Sequence, residues 1–342
     1  MVQWLQRKAL VIDDIGQMRT NLIAILGSIG ITRADSAVNG DDALRKISSE
    51  FYDLILCDYN LGRGRNGQQV LEEARENELL PYSTVFMMVT AETGSPMVSS
   101  AAEYSPDEYL VKPFTGEALR LRLERQFDRK GQFIAIDQAI ANDQWQLALK
   151  RVDEIILRKD KKSWLDAQRL KAELLIRLAD YATAATIYNE VQTERDFNWA
   201  ELGLAKIDWL ESRDEAVIAR MQKLIAREPS LVRAYELLAR AQQRQGQLKD
   251  AQATLEKATG ISPRSVRLHK RLGNVALNNG DLERAEGSMR AAVDIGKYSV
   301  HRDVADYTKL ANVLTTKGDG EGALNFLKEA SRSFTQTAAV KV

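Results

Sequence analysis

The sequence predicts two halves of different fold class. Residues 1–129 read as an α/β domain built on a five-stranded parallel sheet. Residues 130–342 read as an all-α array of about six helix pairs. Three observations carry this. Short β-rich apolar runs alternate with amphipathic helical stretches up to about residue 130. Beyond it no convincing strand occurs, and Ala, Leu, Arg, Gln and Glu dominate, with apolar residues at spacings of three and four. The second half also repeats itself with a period of 34 residues, measured from Pro229 to Pro263.

The strand candidates come in order. They are Ala9–Ile12, a weaker Thr32–Ala37, Leu54–Cys57, Val85–Val89 and Glu108–Val111. Between them lie the helical stretches Met18–Ile29, Asp41–Ser49 and Gln68–Glu78, and an irregular fourth helix is expected at Glu92–Ser100. Strands alternating with helices demand a sheet covered on both faces. A helix at Gly116–Arg129 closes the half, and only Gly131 separates Lys130 from the next helical stretch, Gln132–Ala141. So short a connection couples the halves.

In the second half, alignment on Pro229 and Pro263 brings Leu238 onto Leu272, Ala239 onto Gly273 and Gly246 onto Gly280. It continues with Ala251 on Ala285, Leu255 on Met289 and Ala258 on Ala292. A third copy runs through Leu310, Ala311, Gly318, Ala323, Leu327 and Ala330. Upstream the pattern weakens around Trp199–Gly203, Asp180–Tyr188 and Gln144–Val152. Small residues let helix backbones approach closely. Gly246, Gly280 and Gly318 stand where a helix ends and left-handed backbone is useful. One helix pair cannot bury its apolar face alone, so neighbours must stack.

Composition excludes several classes of function. The 48 Lys and Arg balance 48 Asp and Glu, so a globally basic nucleic-acid binder is out. A single cysteine, Cys57, precludes a disulfide framework and Cys-rich zinc, and reads as a buried inert thiol. Two histidines, His269 and His301, supply Ser-His-Asp or His-based metal chemistry poorly. No window approaches the length of an apolar transmembrane helix, and Ala9–Ile12 is too short for a signal-peptide core. A cytoplasmic location is expected. The charge is divided. Residues 1–128 carry 13 basic and 19 acidic side chains, and residues 129–342 carry 35 and 29. The division is either a chance partition of solvated charge, or a sign that the halves attract one another or that the second faces an acidic partner.

Chemistry-bearing residues sit at strand ends. Asp13 and Asp14 follow the first strand, Asp58 ends the third, Thr90 the fourth, and Lys112, before Pro113, the fifth. In an open parallel sheet these ends share one edge. Converging carboxylates repel and call for a cation, and carboxylate oxygens with waters suit Mg²⁺. With a hydroxyl and an ammonium added, such a site can hold a phosphoryl group.

This ordered set resembles the receiver domain of two-component response regulators, a doubly wound, flavodoxin-like fold, over about residues 7–128. The resemblance implies that Asp58 is the phosphoacceptor. Asp13, Asp14, Asp58 and the carbonyl of Asn60 would hold Mg²⁺, Asp13 partly through water. Thr90 and Tyr109 would form the switch pair, Lys112 would meet the phosphate, and Lys112–Pro113 would be cis. Asn60 and Glu92, two residues beyond Asp58 and Thr90, would tune dephosphorylation. The segment after Asp58 departs from the family: Leu61-Gly62 replaces the usual Met-Pro and the loop is about one residue longer. The second half resembles a tetratricopeptide-like helical solenoid over about residues 132–332. Tyr235, Asn274, His269, Arg267, Arg271 and Lys309 are its candidate exposed binding residues by helix position.

The implied function is a phosphorelay response regulator without enzymatic activity beyond self-phosphorylation and autodephosphorylation. Its implied partners are a sensor histidine kinase or phosphotransfer protein, a protein bound by the repeats, and a second copy through the receiver. Neither nucleic acid nor membrane is expected. The alternative is a transcription regulator or enzyme whose effector lies unrecognised in residues 130–342. Salt-dependent DNA affinity separates the two.

Overall fold

A computed structural model describes residues 4–62, 65–91, 106–158, 161–263, 265–296 and 304–339. The expected helix at 92–100 lies outside them, as does Glu92. Five strands form one parallel sheet in the order β2–β1–β3–β4–β5. They are β1 (Lys8–Ile12), β2 (Arg33–Ala37), β3 (Leu54–Asp58), β4 (Val85–Thr90) and β5 (Glu108–Val111). The helices between them are α1 (Gly16–Ile29), α2 (Gly40–Ser49) and α3 (Gly67–Glu76), with α4 (Gly116–Gly131) after β5. The apolar strands take the middle of the sheet. β3 and β4 are covered on both faces, and the polar β2, Arg-Ala-Asp-Ser-Ala, takes an edge.

Alternation along each strand divides the core in two. Leu10, Ile12, Ile55, Phe86 and Met88 pack against Leu44 and Ile47 of α2 and Val70 and Leu71 of α3. Val11, Leu56, Met87 and Val89 pack against Leu22 and Leu26 of α1 and Leu119, Leu123 and Phe127 of α4. Side-chain caps start α2, α3 and α4. Asn39 accepts from the Asp42 N–H, Thr115 from that of Ala118, and Asn66 forms a capping box with Gln69.

Twelve helices follow α4 among the described residues, α5 (Ile134–Ala141) to α16 (Gly320–Ala339). The chain divides into two compact units, up to Ile207 and from Asp208. The first holds the sheet together with α5, α6 (Trp145–Leu157), α7 (Lys161–Arg177), α8 (Tyr181–Glu194) and most of α9 (Asn198–Leu210). Its seam is polar. Asp137 on α5 accepts from the Tyr82 and Ser83 N–H groups at 2.9 and 2.8 Å, on the approach to β4. The Tyr82 hydroxyl donates to Glu173 on α7 at 2.6 Å. Asp107, just before β5, accepts from Arg129 and pairs with buried Lys130 at 2.8 Å, and Lys130 also donates to the Thr84 carbonyl. A buried ammonium is tolerated only with such partners.

The second unit holds the end of α9, then α10 (Asp214–Arg227), α11 (Val232–Arg244), α12 (Leu248–Ile261), α13 (Val266–Asn278), α14 (Leu282–Gly296), α15 (Val304–Thr316) and α16. Its tight turns explain the glycines. Gly246, Gly280 and Gly318 have φ of 75°, 78° and 89°, where an L side chain is strained. The same left-handed turn recurs upstream at Asp143, Ala179 and Ser212, with φ of 55°, 60° and 59°. The weak repeats therefore keep the turn and lack its glycine. A left-handed Ala costs roughly 1–2 kcal/mol. Ala179→Gly should raise stability by about 0.5–1 kcal/mol, the strain relieved less the entropy of an added glycine. Gly246→Ala, with open space around its new Cβ, should lower it by about 1 kcal/mol. Urea unfolding of both variants with unchanged slope is the check.

Candidate functional site

The carboxyl ends of β1 and β3 lie side by side, with Ile12 registered on Cys57 and Asp58 on Val89. The chain leaves β1 toward β2 and β3 toward β4, so this is the topological switch point, where side chains from several elements meet. Asp13 is 1% exposed. One of its carboxylate oxygens accepts from the Ile15 N–H at 2.9 Å, and the other lies 3.3 Å from the Lys112 ammonium. The same ammonium donates to Asp58 at 2.7 Å, and the second Asp58 oxygen accepts from the Asn60 N–H at 3.1 Å. Asp14 is exposed beside Gly62, whose positive φ lets the loop pass close to that carboxylate.

Lys112 is thus one cation serving two carboxylates. Burial pushes the Asp58 carboxyl above its ordinary range, Asp13 adds repulsion, and the Lys112 bond only partly offsets both. Burial works to depress the Lys112 ammonium, but Asp58 and Asp13 hold it above its usual range. The cluster carries a surplus of negative charge on half-buried oxygens. Asp13, Asp14, Asp58 and the Asn60 carbonyl all offer oxygen, the donor type that suits Mg²⁺, an ion that keeps several waters and needs few protein ligands. Among the described residues no group of three or more acidic, His or Cys side chains is gathered closely enough to hold a metal ion by itself.

Around this centre, Thr90 is buried at the end of β4. Tyr109 is registered on Met88 and so shares the face on which Thr90 lies, two residues along β4. Burial and Tyr59 raise its hydroxyl pKa. The Lys112–Pro113 bond is cis. Cys57 is fully buried, and burial with Asp58 and Asp13 pushes its thiol far above the range of a nucleophile. Glu92 lies outside the described residues.

Sequence reasoning missed three residues here. Arg19 donates to the Asp13 carbonyl at 2.7 Å. Arg65 joins Asp41 on α2 to Glu73 on α3 and ties down the longer loop after Asp58. At Gly67 a Cβ would strike the Asp58 carbonyl oxygen and lie 2.8 Å from the Met88 sulfur, so only glycine admits α3 this close to Asp58. The signal was present in Asn66-Gly67 with Gln69 three residues after the cap. Among the repeat candidates, Tyr235 is not an exposed binding residue. It is buried, and its hydroxyl donates to the Pro229 carbonyl at 2.9 Å. A His269 ring nitrogen lies 2.9 Å from the Pro263 carbonyl, and Lys309 is exposed on α15.

Comparison with known proteins finds relatives of both halves. The family model for the response regulator receiver domain matches residues 9–124, and one for the tetratricopeptide repeat matches residues 218–300. Chemotaxis protein CheY of Pseudomonas aeruginosa is 34% identical over 122 residues, which cover 36% of this chain and 97% of that protein. CheY-3 of Vibrio cholerae is 31% identical over the same length, covering 36% and 92%. Among solved structures, a CheY-like receiver domain protein from Methanospirillum hungatei is 25% identical, covering 37% of this chain and 97% of that one, with a TM-score of 0.33.

Removing the shared cation tests the electrostatics. In Lys112→Met, Asp13 and Asp58 face each other uncompensated, and the Asp58 carboxyl, already raised, rises further. A raised carboxyl contributes stability below its unfolded pKa and loses it as pH rises through the folded value. The variant's melting temperature should therefore fall furthest below wild type at neutral pH, and the gap should narrow as pH drops toward 4. A gap independent of pH would contradict the account.

Proposed function

The chain belongs to the response regulator receiver family, and from that premise we propose that Asp58 accepts a phosphoryl group whose presence controls what the helical repeats bind. The observation that carries this is the Lys112 ammonium set between Asp58 and Asp13 at the switch point. An oxygen of Asp58 attacks phosphorus in line. As that P–O bond forms, the bond from phosphorus to the donor's nitrogen or oxygen breaks, and its electron pair leaves with the donor. Asp58 must be ionised to attack, and the nearby ammonium favours that form. Lys112 then turns from the carboxylate to a phosphoryl oxygen. Asp13, Asp14, Asp58 and the Asn60 carbonyl are the residues that would hold Mg²⁺, which when bound offsets charge on the transferring group. Histidine kinases and phosphotransfer proteins are the protein donors that fit this chemistry.

Thr90 and Tyr109 form the switch pair in this reading, on the strands flanking the acceptor. Both strands are anchored at their opposite ends by the helical half. Asp137 and Glu173 hold the approach to β4, and Arg129 and Lys130 hold Asp107 before β5. A shift of either strand is therefore felt at α5 and α7, and a bias of about 1–3 kcal/mol between two arrangements changes binding severalfold or more. Asn60 tunes the removal of the phosphoryl group by water, a role the sequence also assigns to Glu92, which lies outside the described residues.

Acetyl phosphate with Mg²⁺ should label the wild-type protein with a hydroxylamine-labile phosphate. Asp58→Asn should remove all label, and label persisting on that variant would sink the assignment. Mg²⁺ alone should raise the melting temperature of wild type, because a ligand that binds only the folded state stabilises it. Asp14→Asn should shrink that rise. Beryllofluoride with Mg²⁺ should change hydrogen exchange in α5 and α7 as well as near Asp58. Asp137→Ala should keep the change near Asp58 and lose the distal one.

A further inference from the structure

The two carboxylates that follow β1 are held in different ways. Asp13 is engaged on both oxygens, by the Ile15 N–H at 2.9 Å and by the Lys112 ammonium at 3.3 Å. Asp14 is exposed, and its side chain makes no hydrogen bond or ion pair with the described residues. Its direction therefore follows from its backbone. The peptide unit joining Asp13 to Asp14 is planar, so whatever fixes its carbonyl also fixes the N–Cα bond from which Asp14 departs. That carbonyl is held by Arg19, whose Nη1 donates to it at 2.7 Å.

Arg19 stands in the first turn of α1 and reaches back past the helix start. Its guanidinium passes over Gly16, 3.5 Å from where a Cβ would stand. The N–H of Asp13 donates to the Ala37 carbonyl at 3.3 Å, which ties the head of the loop to β2. Ile15, the cap residue of α1, supplies no side-chain hydrogen bond. Arg19 is thus the side chain that ties the middle of this loop to α1.

Charge alone does not explain an arginine here. A guanidinium beside carboxylates that would hold Mg²⁺ repels the incoming ion, so on Coulomb's law its removal tightens metal binding. Orientation has the opposite sign. We propose that Arg19 is a positioning residue for the metal site: by holding the Asp13 carbonyl it sets the 13–14 peptide so that Asp14 presents its carboxylate to a cation shared with Asp13 and Asp58. The inference rests on the reading that these aspartates hold Mg²⁺, and it adds the residue that aims the one carboxylate lacking a partner of its own. A group that orients a metal ligand without touching the metal commonly carries about an order of magnitude of its affinity.

The test is a double-mutant cycle on Mg²⁺ affinity, measured by titration calorimetry on the full chain with no phosphodonor present. Arg19→Met should weaken Mg²⁺ binding about tenfold. In an Asp14→Asn background the same change should cost less than about twofold, because the ligand that Arg19 aims is already gone. Arg19→Lys keeps the charge on a side chain of shorter reach and should fall between wild type and Arg19→Met. If the methionine variant does not fold, the lysine variant decides: a loss of at least about twofold at constant charge supports the proposal, and unchanged affinity overturns it. Thr20→Ala removes a hydroxyl that donates to the Gly16 carbonyl at 3.1 Å in the same turn, and should change affinity less than about twofold. Unchanged or tighter Mg²⁺ binding in Arg19→Met is the purely electrostatic outcome and overturns the proposal. So does an equal loss with and without Asp14, which marks a general loosening of α1. Wild type that binds no Mg²⁺ removes the metal reading and this inference together. Binding that Asp14→Asn weakens and Arg19→Met does not removes this inference alone.

Discussion

A single ammonium between two carboxylates organises the sheet end of this protein. Lys112 reaches Asp58 at 2.7 Å and Asp13 at 3.3 Å, and so joins the ends of β1, β3 and β5. The arrangement is electrostatically incomplete, because one positive charge cannot neutralise two buried negative ones. What surrounds it follows from that deficit. Asp13 takes a backbone N–H at Ile15, and Asp58 takes one at Asn60. Arg19 binds the Asp13 carbonyl, and Arg65 joins Asp41 on α2 to Glu73 on α3. Gly67 lets α3 close against the Asp58 backbone. A cluster that retains excess negative charge favours the arrival of a cation.

The opposite ends of the same strands show the complementary solution. There the buried charges are matched. Lys130 meets Asp107 and the Thr84 carbonyl, and Asp137 takes two N–H groups from the loop before β4. Satisfied polar contacts of this kind fix one geometry, because breaking any one strands a buried partner. The central strands thus run from a rigid end to an electrostatically unsatisfied one. The seam also explains why the first compact unit runs on past the sheet to Ile207. The first helices after α4 are held by the loops at its foot.

Much of the fold was legible in residue pattern. The runs Leu-Ile-Leu-Cys and Val-Phe-Met-Met-Val announced strands buried on both faces, and β2 was weakest in sequence because an edge strand needs less apolar surface. Gly246, Gly280 and Gly318 announced the later turns. The earlier ones were faint because Asp143, Ala179 and Ser212 hold the same left-handed backbone without glycine. A periodicity search finds residue types, and here the conserved quantity was a dihedral angle. Tyr235 misled for a related reason: position on a helix does not reveal whether a neighbouring carbonyl, that of Pro229, will claim a hydroxyl.

The sequence by itself determined the order of the described strands and helices, the five polar residues at strand ends and the sign of charge in each half. These are local or additive properties, readable from period and composition. Tertiary structure alone decided the rest. It chose which carboxylates share Lys112, placed Asp137 and Glu173 against the loop carrying Tyr82 and Ser83, and set Arg240 and Arg244 on Trp209 near Arg267 and Arg271. Those pairings join residues that the chain separates by tens of positions. Their energies depend on distance and burial, and no local pattern encodes either.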